Sequence, residues 1–259
     1  MDNRHKIKIA GILNLTPDSF YEESRVMGHD HILEATARLC SEGADMIDIG
    51  ACSTRPGGVQ ATSEQEMKRL ETGMPAVLEA CPALPLSIDT FRPEIASTCV
   101  DRWGVDIIND ISGGSEEMFN TVAATGAGYI LTFNREVYGD ILPAMLEFFE
   151  TKLEQLFRAG AGKVILDPGF GFAKTLEQNY RILANLDCLK QFKLPVMAAL
   201  SRKSMAYRLL DITPAQALEA TVVLDTVALM KGAEWLRVHD VKEAVQTVRL
   251  IEELNINKN

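Results

Sequence analysis

The chain has 259 residues, of which 47% are hydrophobic and 24% are charged. This is the balance of an ordinary globular protein, and the length is close to the roughly 250 residues of one eight-fold barrel. The formal net charge of −10 argues against a nucleic-acid partner, because a phosphate backbone needs a basic surface.

No apolar run in the sequence approaches the ~18 residues of a membrane span, and the first residues do not resemble a cleavable signal peptide. The five cysteines (Cys40, Cys52, Cys81, Cys99 and Cys188) are scattered and include no C-x-x-C pair. Such a set argues against a disulfide framework and a structural zinc site. We therefore expect a cytoplasmic protein with reduced thiols and no membrane association.

Short apolar runs alternate with longer amphipathic stretches along the whole chain. The runs are rich in aliphatic residues and bounded by polar residues or glycine, which is typical of strands buried on both faces. There are eight of them: residues 7–13, 46–49, 86–88, 105–108, 129–133, 164–166, 196–200 and 235–238.

The stretches between these runs carry helix start and stop signals. Ser63 and Glu66 have the spacing of a capping box, and Pro93 suits the first position of a helix. Asp30 is expected to cap a helix that Gly43 ends.

Eight strand–helix units, joined by connections too long for hairpins, predict a parallel sheet, and eight units favour its closure into a barrel. An open doubly wound sheet is the alternative, but no G-x-G-x-x-G follows the first strand, which counts against it. We therefore predict a single (β/α)8 TIM-barrel domain over residues 1–259. Its active site would lie at the C-terminal ends of the strands.

Polar residues follow every predicted strand, and they fall into two groups. Arg55, Lys203, Arg237 and His239 predict a site for a multiply charged anion, with Asn14 adding an oxygen ligand for Mg²⁺. Mg²⁺ reaches a diphosphate with few protein ligands and several waters.

The second group consists of Asp89, Asn109 and Asp167. A carboxylate accepts two parallel hydrogen bonds from an amidine-like pair of N–H groups, so this group suits a 2-amino-4-oxo heterocycle. The two groups together predict a substrate with a hydrogen-bonding ring at one end and a diphosphate at the other.

Five short motifs resemble, in order and spacing, the signature sequences of the dihydropteroate synthase family. They are residues 11–20 (GILNLTPDSF), 53–57 (STRPG), 167–172 (DPGFGF), 201–204 (SRKS) and 237–240 (RVHD). The resemblance covers nearly the whole chain. It implies condensation of 6-hydroxymethyl-7,8-dihydropterin diphosphate with p-aminobenzoate, giving dihydropteroate and pyrophosphate. It also implies Mg²⁺ as cofactor, a homodimer and inhibition by sulfonamides.

The same resemblance implies roles for individual residues. The pterin would be held by Asp89, Asn109, Asp167 and Lys203, with Arg237 stacking on the ring and reaching the diphosphate. The groups that bear most directly on catalysis would be Asp89, Asp167, Lys203 and Arg55.

The remaining roles concern the other two subsites. The diphosphate and Mg²⁺ would be held by Asn14, Arg55 and His239. The aminobenzoate pocket would be shaped by Thr54, Pro56 and Ser204, with Phe20 closing over it.

Two segments depart from the family pattern. Residues 21–24 read YEES where the family commonly has Ser-Asp-Gly-Gly, and residues 132–134 read TFN where it often has Met-His-Met. A non-catalytic pterin-binding paralogue is therefore one alternative. A pterin-dependent methyltransferase on the same barrel is another, but the motifs at 53–57 and 201–204 count against it.

Overall fold

The computed structural model describes residues 7–16, 25–52 and 60–257. Eight parallel strands form one sheet in the order β6-β5-β4-β3-β2-β1-β8-β7, and a parallel bridge from Leu166 to Val196 joins its two ends. The strands are β1 Lys8–Asn14, β2 Met46–Gly50, β3 Leu86–Asp89, β4 Ile107–Asp110, β5 Gly128–Thr132, β6 Val164–Asp167, β7 Met197–Ala198 and β8 Trp235–Val238. The predicted (β/α)8 barrel is confirmed. The prediction of one domain over residues 1–259 stays a prediction.

Helices follow the strands and cover the outside of the barrel. They are α1 Arg25–Glu42, α2 Ser63–Ala80, α3 Pro93–Trp103, α4 Glu116–Thr125, α5 Ile141–Ala159, α6 Leu176–Ala184, α7 Ser204–Tyr207, α8 Leu218–Met230 and α9 Val241–Ile256. Short 3₁₀ helices span Leu186–Phe192 and Pro214–Gln216. No helix within the described ranges is long and apolar enough to cross a membrane.

Pro93 begins α3 and Gly43 follows the last residue of α1, as predicted, whereas the predicted caps of α2 and α1 were wrong. The capping box of α2 is formed by Thr62 and Gln65, one residue before the predicted pair. The shift arises because Glu66 is fully buried and forms an ion pair with Arg92, so it cannot return to cap its own helix. Asp30 lies inside α1 and is not its cap.

The barrel interior has an apolar floor made of Ala10, Met46, Ile130, Ile165, Met197 and Trp235. Side chains alternate between the two faces of a strand, so residues two positions further on point into the same interior. There Asp48 follows Met46, and Arg237 follows Trp235. The apolar floor therefore carries a polar layer, which lies nearer the C-terminal ends of the strands.

One expectation about the cysteines was wrong. Cys40, near the end of α1, and Cys81, just after α2, form a disulfide with a Cα–Cα distance of 6.7 Å. The pairing was not visible in the sequence because 41 residues separate the two cysteines, and only the packing of α1 against α2 brings them together.

Asp225, inside α8, is 2% exposed, and its Oδ1 has no hydrogen-bond partner among the described residues. Burial, together with the negative charge of Asp240, raises the pKa of Asp225 well above its usual value. The folded state therefore binds a proton that the unfolded chain releases as the pH rises past about 4. This carboxyl lowers stability above that pH.

We expect the free energy of unfolding of Asp225→Ala to rise relative to that of the wild type as the pH increases above about 4. The increase is at most about 1.4 kcal/mol per pH unit. It is largest where the carboxyl is ionised in the unfolded chain and still protonated in the folded protein. Urea unfolding at several pH values measures it. The matched control is Asp101→Ala, which removes an exposed carboxylate from α3. A difference between wild type and Asp225→Ala that does not change with pH would contradict the assignment.

Candidate active site

Eight predicted site residues lie in the described part of the chain, and all of them lie at or just beyond the C-terminal ends of strands. They are Asn14 (β1), Asp89 (β3), Asn109 (β4), Asp167 (β6), Lys203 and Ser204 (after β7), and Arg237 and His239 (β8). Phe20, Thr54, Arg55 and Pro56, with the altered segment 21–24, lie outside the described residues.

Arg237 ties the two predicted groups of residues together. Its Nε donates to Asp48 Oδ2 at 2.6 Å, and its Nη2 donates to Asp89 Oδ2 at 2.7 Å. The acidic and basic groups are therefore interleaved, whereas the sequence had suggested two separate sides of the rim. Burial raises the pKa of Asp89 to about 7, and the charge of Arg237 opposes that rise.

Asp48 is the main residue that the sequence prediction did not assign. Its side chain is 1% exposed, and it accepts hydrogen bonds from Ser87 Oγ at 2.6 Å and from Asn109 Nδ2 at 3.2 Å, besides that from Arg237. A signal was present in the sequence: a carboxylate two residues after Met46 in a buried strand must face the barrel interior, where it needs partners.

Two buried polar atoms near this network have no hydrogen-bond partner among the described residues. They are Asn109 Oδ1 and Thr132 Oγ1. Asn109 is in register with Asp89 across β3 and β4, and Thr132 with Asp167 across β5 and β6. Leaving a buried polar atom unpaired costs about 1–3 kcal/mol, so both atoms are suited to a ligand's hydrogen bonds. The end of the fifth strand thus contributes a hydroxyl.

The loop after β6 is held in place by Lys174, another residue whose role the sequence pattern does not predict. Its Nζ donates to the carbonyls of Phe133, Gly169 and Phe172 at 2.7, 2.8 and 3.1 Å. Gly169 has φ 66° and its N–H donates to Asp167 Oδ1 at 2.7 Å. A Cβ at Gly169 would lie 2.2 Å from the Phe133 carbonyl oxygen, so only glycine fits. This loop fixes the Asp167 carboxylate.

Lys203 lies between the β6 loop and the carboxylates. Its Nζ is 4.4 Å from the centroid of the Phe172 ring, and a Cβ at Gly171 would lie 3.1 Å from Lys203 Cδ. Burial and the charge of Arg237 lower the pKa of Lys203 to about 8, against the pull of the Asp167 and Asp89 carboxylates. The ammonium is charged below that pH and loses its proton above it.

His239 differs from the cation that the sequence suggested. Loss of water around the ring and the charge of Arg237 lower the pKa of His239 to about 4, although the residue as a whole is exposed at the rim. Its Nδ1 lies 2.9 Å from Ser201 Oγ, and that hydroxyl accepts from the His239 backbone N–H at 3.3 Å. At neutral pH His239 is an uncharged hydrogen-bonding group.

Arg202 anchors the loop that carries Lys203 and Ser204. Its guanidinium forms two hydrogen bonds to Asp240, both at 2.9 Å, and donates to the Pro214 carbonyl at 3.0 Å. This bidentate ion pair ties the end of β7 to the start of α9. These contacts of Arg202 therefore hold the loop after β7 in place.

Asn14 and Asp89 lie on either side of Gly50 and come close to each other because glycine has no side chain. The strand register places Asn14 next to Gly50 and Gly50 next to Asp89. A Cβ at Gly50 would lie 3.4 Å from Asn14 Oδ1 and 3.8 Å from Asp89 Cβ. The absence of a side chain at position 50 leaves room beside the amide oxygen of Asn14.

Comparison with known proteins shows the family of this chain. The profile of the pterin-binding enzyme family matches residues 10–239. Dihydropteroate synthase of Escherichia coli (strain K12) is 34% identical over 94% of this chain and 90% of its own length. That of Bacillus subtilis (strain 168) is 33% identical over 98% of this chain and 90% of its own length.

Solved structures of dihydropteroate synthases share the fold. The enzyme of Clostridium difficile, crystallised in the presence of pteroic acid, has a TM-score of 0.92 and 31% identity, covering 98% of this chain and 99% of its own. The Xanthomonas albilineans enzyme with 4-aminobenzoic acid has a TM-score of 0.91 and 32% identity, covering 96% and 93%. The Thermus thermophilus enzyme in complex with 6HMPPP has a TM-score of 0.83 and 32% identity, covering 96% and 94%. The chain therefore belongs to the pterin-binding enzyme family.

Proposed function

We propose that this protein is a dihydropteroate synthase, which condenses 6-hydroxymethyl-7,8-dihydropterin diphosphate with p-aminobenzoate to give 7,8-dihydropteroate and pyrophosphate. The observation that carries the proposal is the juxtaposition of Asp89, Asn109 and Asp167 with Lys203 and Arg237 in one polar layer at the strand ends. Relatives solved with pteroic acid, 4-aminobenzoic acid and 6HMPPP support the assignment of substrates.

The ring site is built to bind a flat heterocycle through its edge. The Asp167 carboxylate is 3% exposed, and Asn109 Oδ1 and Thr132 Oγ1 have no partner among the described residues. A carboxylate receives an amidine-like pair of N–H groups with two parallel hydrogen bonds. Lys203, beside these acceptors, supplies donors for a ring carbonyl or ring nitrogen.

The reaction breaks the C–O bond between the pterin methylene and the diphosphate, and it forms a C–N bond to the aromatic amine. Loss of diphosphate leaves positive charge that spreads into the electron-rich dihydropterin. The Asp89 and Asp167 carboxylates stabilise that charge, while Arg237 and Arg55 stabilise the leaving diphosphate. The amine then attacks the methylene and releases one proton.

No covalent nucleophile is needed for this chemistry. The aromatic amine is a free base at neutral pH, so the site has to position it more than activate it. By the family resemblance, Ser204, which begins α7 directly after Lys203, would shape the aminobenzoate pocket together with Thr54, Pro56 and Phe20. A Yersinia pestis dihydropteroate synthase has been solved in complex with a sulfonamide drug, which supports the expectation that sulfonamides inhibit this protein.

The residues at the rim fit a magnesium ion bound mainly through the substrate. Within the described ranges there is no cluster of three or more His, Cys, Asp or Glu side chains that would hold a metal by itself. Asn14, which is partly exposed, offers one amide oxygen. Mg²⁺ commonly takes one or two protein oxygens together with phosphate oxygens and waters. When bound, the ion would neutralise charge on the leaving diphosphate.

The direct test is pyrophosphate release from the pterin diphosphate with p-aminobenzoate and Mg²⁺. We expect release that depends on both substrates and falls sharply when EDTA removes Mg²⁺. A control with p-aminobenzoate omitted measures hydrolysis alone. Pterin binding without turnover would favour the non-catalytic paralogue, and methyl transfer without pyrophosphate release would favour the methyltransferase.

Lys203 gives the turnover a pH dependence. We expect kcat/KM to fall as the pH rises through about 8, because the Lys203 ammonium loses its charge there. Lys203→Ala should lower kcat/KM on the order of 100-fold at neutral pH and remove that descending limb. The control is Lys242→Ala, an exposed lysine on α9. Equal rates for the two variants would contradict the placement of Lys203.

We also propose a homodimer, formed through α8 and α9. The two helices pack against each other, and their outer faces expose Val223 (61%), Met230 (65%), Leu250 (69%) and Leu254 (58%). A run of large exposed apolar side chains on neighbouring helices is typical of a protein interface. Localisation in the cytoplasm stays a prediction.

The double variant Met230→Asp/Leu250→Asp should shift the protein from dimer to monomer in sedimentation velocity, because it places charges inside the interface. The control is Phe157→Asp, at an apolar residue on α5 that is also exposed (46%). If the double variant and the wild type sediment alike, or if Phe157→Asp alone dissociates the dimer, this interface is wrong.

A further inference from the structure

The polar layer dictates which end of the Asn109 amide faces Asp48. Asn109 Nδ2 lies 3.2 Å from both carboxylate oxygens of Asp48. The same carboxylate accepts from Arg237 Nε and from Ser87 Oγ, each at 2.6 Å. An ionised carboxylate offers only acceptors, so chemistry requires the amide nitrogen, and not the oxygen, on this side.

The other end of the amide is thereby left as an acceptor. Asn109 Oδ1 is buried and has no partner among the described residues. Asn109 lies beside Asp89 in the strand register, in the row of strand ends that forms the ring site. Its unpaired oxygen is directed away from Asp48, on the opposite side of the planar amide.

We propose that Asp48 is a positioning residue, which sets the amide orientation of Asn109 and thereby makes the ring site select a heterocycle edge that presents an N–H donor. The inference rests on the proposed function, since the ligand is a pterin. Asp48 acts through Asn109, because its own side chain is 1% exposed beneath Asn109 and Arg237.

A simpler role for Asp48 would be that of a counter-ion for Arg237, whose Nε it binds. The two roles predict different results when the carboxylate is transferred from position 48 to position 109. If only the ion pair matters, a carboxylate at position 109 cannot replace one at position 48. If the orientation of an acceptor matters, it can.

The first variant is Asp48→Asn, which keeps the shape of the side chain. Its amide oxygen can still accept from Arg237 Nε, so its amide nitrogen then faces the nitrogen of Asn109. Asn109 Nδ2 then keeps only one acceptor, which it shares with Arg237, and its other neighbour is a donor. The orientation with the NH₂ group toward Asp48 is no longer enforced, so the NH₂ group can turn toward the ring. We expect this variant to bind 6-hydroxymethylpterin about 10- to 100-fold more weakly than the wild type in calorimetry.

The second variant is the exchange Asp48→Asn/Asn109→Asp. The carboxylate at position 109 accepts from the amide at position 48 and directs its second oxygen at the ring, so an acceptor is restored. We expect recovery to within about 10-fold of the wild-type affinity. Equal binding by Asp48→Asn and wild type would overturn the proposal, and so would an exchange variant that binds no better than Asp48→Asn.

The matched control is Asp110→Asn, which neutralises a buried carboxylate one residue after Asn109. Asp110 binds the Tyr129 hydroxyl and the Ser112 N–H, both at 2.7 Å, and takes no part in the Asp48 network. Its variant should bind the pterin as the wild type does. A wild type that binds no pterin refutes the proposed function itself, a result distinct from equal binding by wild type and Asp48→Asn.

A measurement on the wild type covers the case in which Asp48→Asn does not fold. The side-chain NH₂ protons of Asn109, hydrogen-bonded to Asp48, should keep their NMR shifts and slow exchange when 6-hydroxymethylpterin binds. Protons that move because the ring has become their acceptor would overturn the proposal.

Discussion

The site depends on one buried interaction: the Arg237 guanidinium held between the carboxylates of Asp48 and Asp89 at 2.6 and 2.7 Å. Taking three charges out of water is costly, and only close hydrogen bonds with good geometry offset that cost. The side chains of Asp48, Asp89 and Arg237 are only 1%, 14% and 14% exposed, so each charge depends on its partners. Removing one partner would leave an uncompensated charge in the barrel.

The fold could be read from the sequence because barrel strands leave a strong local signal. All eight apolar runs correspond to observed strands, and residues 235–238 match β8 at both ends. The errors in secondary structure lie at helix starts, where a single tertiary contact can determine which residue caps the helix. Glu66 had the spacing of a cap, but its ion pair with Arg92 outweighs that local preference.

The candidate site was predictable where a residue follows a strand, because the carboxyl ends of parallel strands meet at one rim. Asp48 and Lys174 were not assigned, since their roles come from contacts between distant segments. Asp48 meets Arg237 across 189 positions, and Lys174 meets the Phe133 carbonyl across 41. The Cys40–Cys81 disulfide was missed for the same reason. Local patterns carry no information about such pairs.

The charge state of the rim follows from the same constraint. Burial lowers the pKa of His239 to about 4 and of Lys203 to about 8, and Arg237 acts in the same direction on both. A cation is disfavoured near Arg237 until negative charge enters the site. A diphosphate supplies that charge, so its binding raises both pKa values and favours the protonated forms. The rim thus gains positive charge when its anionic substrate binds.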